Sequence, residues 1–201
     1  MLRLFVRPLV YVFLASAFLY VLIEQSFGTW LPTFNNEILK LPNAMSIQFA
    51  SILAGMTALG RILAGVVLKR VRWYTLLNAC VLGMGVLVVL VLPLARGVVA
   101  RPDVGWFDAP RAAYLIPLLG LLMAPIYPVI NSVALSSLPK PMHAAMTGLI
   151  VVFSALGGTL GSYITARVFA SFDGIHAFYF SLLPMSLILL TLFFFKRGTD
   201  R

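Results

Sequence analysis

Six long apolar segments dominate the chain, and each has a length that only a lipid bilayer makes useful. A helix needs about 20 apolar residues, within a range of roughly 17 to 25, to cross the hydrocarbon core. The pattern predicts spans over 9–31, 44–68, 73–94, 112–137, 143–169 and 175–195. Breaker-rich stretches separate them: Pro32 through Pro42 with Asn35, Asn36 and Glu37, Arg96 through Pro110 with Pro102, Asp103 and Asp108, and Leu138 to Met142 with Pro139, Lys140 and Pro141. Soluble domains are roughly 45–50% apolar and about 25% charged. This chain of 201 residues is 61% apolar and 10% charged, with a mean hydropathy of +1.01. Backbone groups in lipid must be hydrogen-bonded within the segment, so the expected fold is an all-α membrane protein, a single six-helix bundle over residues 1–201 in contact with membrane lipid.

The formal charge of +9 does not point to nucleic acid, which calls for Lys and Arg gathered on one face or arm. Here they lie between apolar runs and read as topology signals, because Lys and Arg accumulate in cytoplasmic loops. With Arg61 and Arg167 set apart as lying inside spans, the N-terminal side carries Arg3, Arg7, Lys69, Arg70, Arg72, Lys140, Lys196, Arg197 and Arg201, nine in all. The opposite side carries Lys40, Arg96, Arg101 and Arg111, four. Both termini are therefore expected in the cytoplasm, with the chain in the cell (inner) membrane. Ala15, Ser16 and Ala17 resemble a signal peptidase site, but the apolar stretch runs on to Ile23, longer than a signal core.

Catalytic and metal chemistry find no support. Cys80 is the single cysteine, so no intrachain disulfide or multi-thiolate site can form, and neither His143 nor His176 has a second ligand at metal spacing. His143 follows Pro141 at one membrane face and His176 lies by Asp173 at the other, so they make no catalytic pair. There is no G-x-S-x-G, H-E-x-x-H or phosphate-loop pattern. No enzyme activity, cofactor or metal is expected.

Polar residues inside spans are costly and so informative. The first span carries Ser16, Tyr20, Glu24 and Phe27 on one helical face, and the fourth carries Gly120, Ala124, Tyr127 and Asn131 beside Pro125 and Pro128. The second and fifth have small, weakly polar faces: Gln48, Ser51, Gly55 and Ala58 in one, Thr147, Ser154, Gly158, Gly161 and Thr165 in the other. Gly157 and Gly161 form a GxxxG, most often an ordinary packing contact. The third and sixth, with Val81 to Ala95 free of polar side chains, read as lipid-facing. This order repeats after three spans, and because three is odd the second set must be inverted. Two inverted three-helix repeats are a common plan of secondary transporters, whose sites lie on interrupted helices.

Glu24 is the leading candidate, since a carboxyl in a span costs roughly 2.5–3.5 kcal/mol on insertion scales unless protonated, paired or wet. It reads as a proton carrier or, more plainly, as a residue near the translocated end that snorkels to the loop. Tyr127 and Asn131 follow the proline interruptions, where a hydroxyl and freed carbonyls are placed to bind a polar solute. Gln25, Gln48 and Trp30 add amides and a stacking surface. The set fits a sugar-like or amphipathic solute better than an ion.

The three-span repeat, the polar first and fourth helices and the basic loop after the second span resemble the C-terminal six-helix half of a major facilitator superfamily transporter, over nearly the whole chain. Gly60, Arg61, Gly65, Lys69 and Arg70 resemble that superfamily's G-x-x-x-D-R-x-G-R loop signature, with Lys69 in place of its Asp and Arg72 in place of its Gly. The resemblance implies a gating role in the cytoplasmic loop for Arg61, Gly65 and Arg70. Tyr20 to Leu31 and Ala124 to Leu138 look most like the fucose and hexose to proton symporters. In that branch the main proton-carrying carboxylates lie in the other half, which implies an orienting or gating role for Glu24. The implied partner is a complementary six-helix half or a second copy. Two other readings stay open: a truncated fragment that transports nothing, and a membrane scaffold or regulatory subunit.

Overall fold

The computed structural model describes residues 8–101 and 104–199; Arg3, Arg7, Pro102, Asp103 and Arg201, used above for topology and loop assignment, lie outside them. Helix α1 (Pro8–Glu37), α2 (Asn43–Val67) and α3 (Trp73–Val91), extended by a 3-10 turn at Leu92–Ala95, form the first three spans. The fourth is built of α4 (Arg111–Leu115), α5 (Leu118–Met123) and α6 (Ile126–Ser136), the fifth is α7 (His143–Ser171), and the sixth is α8 (Gly174–Tyr179) with α9 (Leu182–Thr199). No strand occurs among the described residues. All six are long and apolar enough to cross a membrane.

Prolines account for the interruptions. Each lacks the N–H that would reach back four residues, so Pro117, Pro125 and Pro184 open the joints after α4, α5 and α8, which tighten locally: Leu119 N–H bonds to the Ile116 carbonyl at 2.9 Å and Gly120 N–H to that of Pro117 at 3.0 Å. Pro128 breaks nothing, contrary to expectation, because it falls in the first turn of α6, where a missing N–H is no loss. Pro32 was expected to end the first span; instead α1 runs through it to Glu37. Tertiary contacts hold the extension. Phe34 stacks on Phe178 with centroids 4.5 Å apart, Phe27 meets the same ring at 4.6 Å, and the buried Asn35 donates from Nδ2 to the Ser46 carbonyl at 3.1 Å.

The packing follows the repeat. The first span, α1, lies along α7 and α9, the second and third spans of the other repeat. In the same way α5 of the fourth span lies against α2 and α3. The bundle is thus two inverted three-helix repeats, the plan that the resemblance implied. Close approach depends on glycine. A methyl group on Gly157 or Gly161 would overlap the carbonyls of Phe18 and Leu22, and one on Gly120 that of Leu53. The GxxxG of the fifth span is therefore a packing seam inside the bundle. Helices in lipid gain little from hydrophobic burial, and such close backbone contact is a main source of their association.

Coverage of the spans is uneven. Within the most apolar stretch of each, 50% of the first and 61% of the fourth is buried, against 17% of the second and 22% of the fifth. Ser16, expected on the polar face, instead turns toward the sixth span, donating to the Val12 carbonyl at 2.8 Å and to Thr191 Oγ1 at 2.9 Å.

Between the fifth and sixth spans, Asp173 caps α8. Its Oδ1 accepts from the His176 N–H at 2.7 Å and lies 2.8 Å from Nδ1 of the same ring. Partial burial pushes its carboxyl up, but these hydrogen bonds outweigh it and hold it below the ordinary carboxylate value. A lowered carboxyl stabilises above its unfolded-state pKa and loses that contribution as pH falls through the folded one. Asp173→Ala should cost about 1 kcal/mol at neutral pH, measured by thermal unfolding in detergent, and the gap to native should close below about pH 4.

Candidate functional site

Glu24 sits sixteen residues from Pro8 and thirteen from Glu37 in α1, about 24 Å and 20 Å along the axis at 1.5 Å per residue. Because α1 continues past Pro32, this carboxyl lies near the middle of the helix and not near its end. It accepts a hydrogen bond from the Tyr20 hydroxyl at 3.1 Å. Tyr20 is buried, and its ring stacks on Tyr127 of the fourth span at 5.7 Å with 26° between planes. The Tyr127 hydroxyl pairs with Ser154 Oγ of the fifth span at 3.0 Å. A polar seam thus crosses three spans at the centre of the bundle. Asn131, one turn beyond Tyr127, has a buried Oδ1 with no hydrogen-bond partner among the described residues.

Two grooves flank Glu24 and Gln25. The first, about 350 Å³, is lined by Glu24, Gly28, Ala54, Thr57, Arg61 and Met123. Arg61 shares this groove with Glu24 at a range where their charges interact, with no ion pair between them among the described residues. The second, about 530 Å³, is lined by Val21, Gln25, Ser154, Gly158 and Thr159. Both open beside the poorly covered second and fifth spans.

Arg61 lies in α2, six residues before Val67, inside the second span as the apolar run predicted and not in the cytoplasmic loop that the signature-like spacing implied. Gly65 is also helical and exposed, with open space around it, while Arg70 lies in the turn beyond. Gly60 is a packing residue, set against the Leu121 carbonyl that Pro125 leaves without a helical donor. That freed carbonyl is therefore covered and not offered to a solute. Gln48 lies exposed near the start of α2 and lines neither groove. Trp30 is committed to packing: its Nε1 donates to the Ser162 carbonyl at 3.1 Å and Oγ at 3.2 Å, and its ring lies 5.5 Å from that of Phe169.

Sequence reasoning left Ser154 and Thr57 out of the site. Their signal was weak, since single hydroxyls in helices usually bond back one turn, as Thr57 does to Leu53 at 2.9 Å. Tyr20 was visible on the polar face but not as the partner that holds Glu24.

Residues 1–162 match the Major Facilitator Superfamily. The chain belongs to that family. The match takes in the first four spans and most of the fifth, including every residue that lines the two grooves. No curated protein and no solved structure matches it. Major facilitators are transporters and not enzymes, and this multi-pass membrane chain is a member of that transporter family.

Proposed function

We propose that this major facilitator chain is one half of a secondary active transporter that moves a small, sugar-like solute, coupled to protons, by rocking two helix bundles about a midplane site. The observation that carries the reading is Glu24, near the middle of the first helix, held by the Tyr20 hydroxyl at 3.1 Å while it lines an open groove. A carboxyl so placed can take up and give back a proton during a cycle. The Tyr20–Tyr127–Ser154 seam and the Gln25 carboxamide supply hydroxyl and amide partners for a neutral polyhydroxy solute, with Asn131 one turn further on. Glu24, Gln25, Tyr127 and Asn131 thus remain the proposed binding set, with Arg61 added and Gln48 peripheral. Arg70 and its basic neighbours stay the proposed cytoplasmic gate, with both termini in the cytoplasm of the cell membrane. A complementary six-helix half or a second copy would close both grooves by covering the second and fifth spans, which the six helices leave most exposed.

The test is uptake of labelled fucose, glucose and related hexoses into vesicles holding the chain, alone and with a complementary half. An imposed proton gradient should drive accumulation, and Glu24→Gln should lower it by about tenfold or more, about 1.4 kcal/mol of lost transition-state stabilisation. Absence of sugar uptake in both formats would overturn the reading and favour a scaffold role.

A further inference from the structure

The end of the bundle at which the chain begins and ends is strongly cationic. Among the described residues it carries Lys69, Arg70, Arg72, Lys140, Lys196 and Arg197, and no Asp or Glu. Topology signalling accounts for the sign of this charge but not for how part of it is held. Lys196 Nζ lies 4.6 Å from the centre of the Tyr74 ring, and the Arg197 guanidinium 4.3 Å from that of Phe193. Trp73, directly after Arg72, meets Phe195 edge-on at 5.4 Å. Aromatic rings and cations so arranged are typical anchors at the headgroup level.

The same two helices, α3 and α9, enclose an apolar groove of about 340 Å³ walled by Val81, Gly85, Val89, Leu182, Met185 and Leu189. It is not part of the transport seam and opens on the outer surface of the bundle, where Leu82, Val86 and Leu183 are more than half exposed. Gly85 leaves room in it: the nearest atom to a methyl placed there is Leu182 Cδ2 at 3.8 Å. From Tyr74 to Val81 the helix rises about 10 Å, so the groove begins part of the way down the hydrocarbon, within reach of an acyl chain whose headgroup lies at that ring.

We propose that this junction is a binding site for an anionic phospholipid of the leaflet on the side of the chain termini. Its phosphate and headgroup lie against Arg72, Lys196 and Arg197, and one acyl chain fills the groove between the third and sixth spans. Charge complementarity selects the occupant. A zwitterionic lipid brings the same phosphate and the same chains, but also a cation that this cluster repels, whereas a net negative headgroup is attracted by every basic side chain near the surface.

Trp73 is the reporter. The chain is placed in phosphatidylcholine vesicles with increasing phosphatidylglycerol or phosphatidylcholine brominated near the headgroup end of the acyl chain. The Trp73 signal is the difference between native chain and Trp73→Phe. Phosphatidylglycerol should quench it at about a tenfold lower mole fraction than phosphatidylcholine, given three basic side chains at the surface. The combined change Arg72→Gln, Lys196→Gln and Arg197→Gln should abolish that preference with helicity unchanged, and Gly85→Leu, which fills the groove, should weaken quenching by the anionic lipid. Equal quenching by the two lipids, a preference that survives the triple change, or indifference to Gly85→Leu would each overturn the proposal.

Discussion

Gly161→Ala should destabilise the bundle by about 2–3 kcal/mol, the upper part of the usual range for overpacking, while Gly148→Ala should leave it unchanged or more stable by up to about 1 kcal/mol. Both glycines lie in α7, and helix propensity predicts the same small gain for each. They differ in what faces them. A methyl on Gly161 would enter the Leu22 carbonyl and on Gly157 the Phe18 carbonyl, while nothing lies within 4 Å of a methyl on Gly148. Backbone cannot turn aside as a flexible side chain can, so α1 and α7 would have to separate along their length. Ser26 would suffer too, since its hydroxyl bonds the Leu22 carbonyl at 2.7 Å and the Gly161 carbonyl at 3.2 Å across this seam. Thermal unfolding in mild detergent reads the difference, and the double change at Gly157 and Gly161 should not yield a monodisperse protein. Equal stability of the alanine variants at 161 and 148 would show that the seam is looser than described.

Arg61→Gln should lower proton-driven uptake by about tenfold or more, about 1.4 kcal/mol, with little change in thermal stability. The reason lies in its surroundings. Arg61 is exposed in the bundle and lines the Glu24 groove, so its removal takes little packing but deprives the groove of its one cation among the described lining residues. Arg61→Lys should recover part of the uptake, because it restores the charge but not the planar fork. A loop substitution, Arg70→Gln, tests the alternative that the signature-like segment acts as a unit. If both Gln variants lose uptake equally, Arg61 acts through the gate; if Arg61→Gln transports as native, the groove assignment fails.

Much of the architecture could be read from the chain because apolar length is a strong signal in lipid. Six runs of sufficient length, separated by Pro, Asn and Arg, leave few alternatives, and the recurrence of polar, small and greasy spans identified the inverted repeat. The site was less legible. Pro32 looks like a stop by every local rule, yet Phe34 on Phe178 and Asn35 on Ser46 carry the helix past it, and that extension is what puts Glu24 near the middle of the helix and not near its end. Arg61 shares a spacing with a loop signature although the apolar run already put it inside the second span, and the helix that continues to Val67 bears out the span and not the loop. Trp30 and Gly161 have the composition of site or docking residues, and only the partner helix reveals that both are spent on contact within the bundle. For Trp30 and Gly161 the missing information is tertiary: which neighbour a residue meets across a gap of about 130 to 140 residues.

The joints in the fourth span have a mechanical consequence. The first span is one unbroken helix of 30 residues, and its repeat counterpart is three short rods joined at Ile116–Pro117 and Ala124–Pro125. Up to Pro32 that helix resists bending along all its hydrogen bonds, whereas a proline joint has surrendered some of them and bends at lower energy. The two-fold relation between the repeats therefore holds for outline and not for stiffness. One side of the bundle behaves as a strut and the other as an articulated arm, so flexing concentrates at two known points, the second of them next to Met123 in the wall of the Glu24 groove.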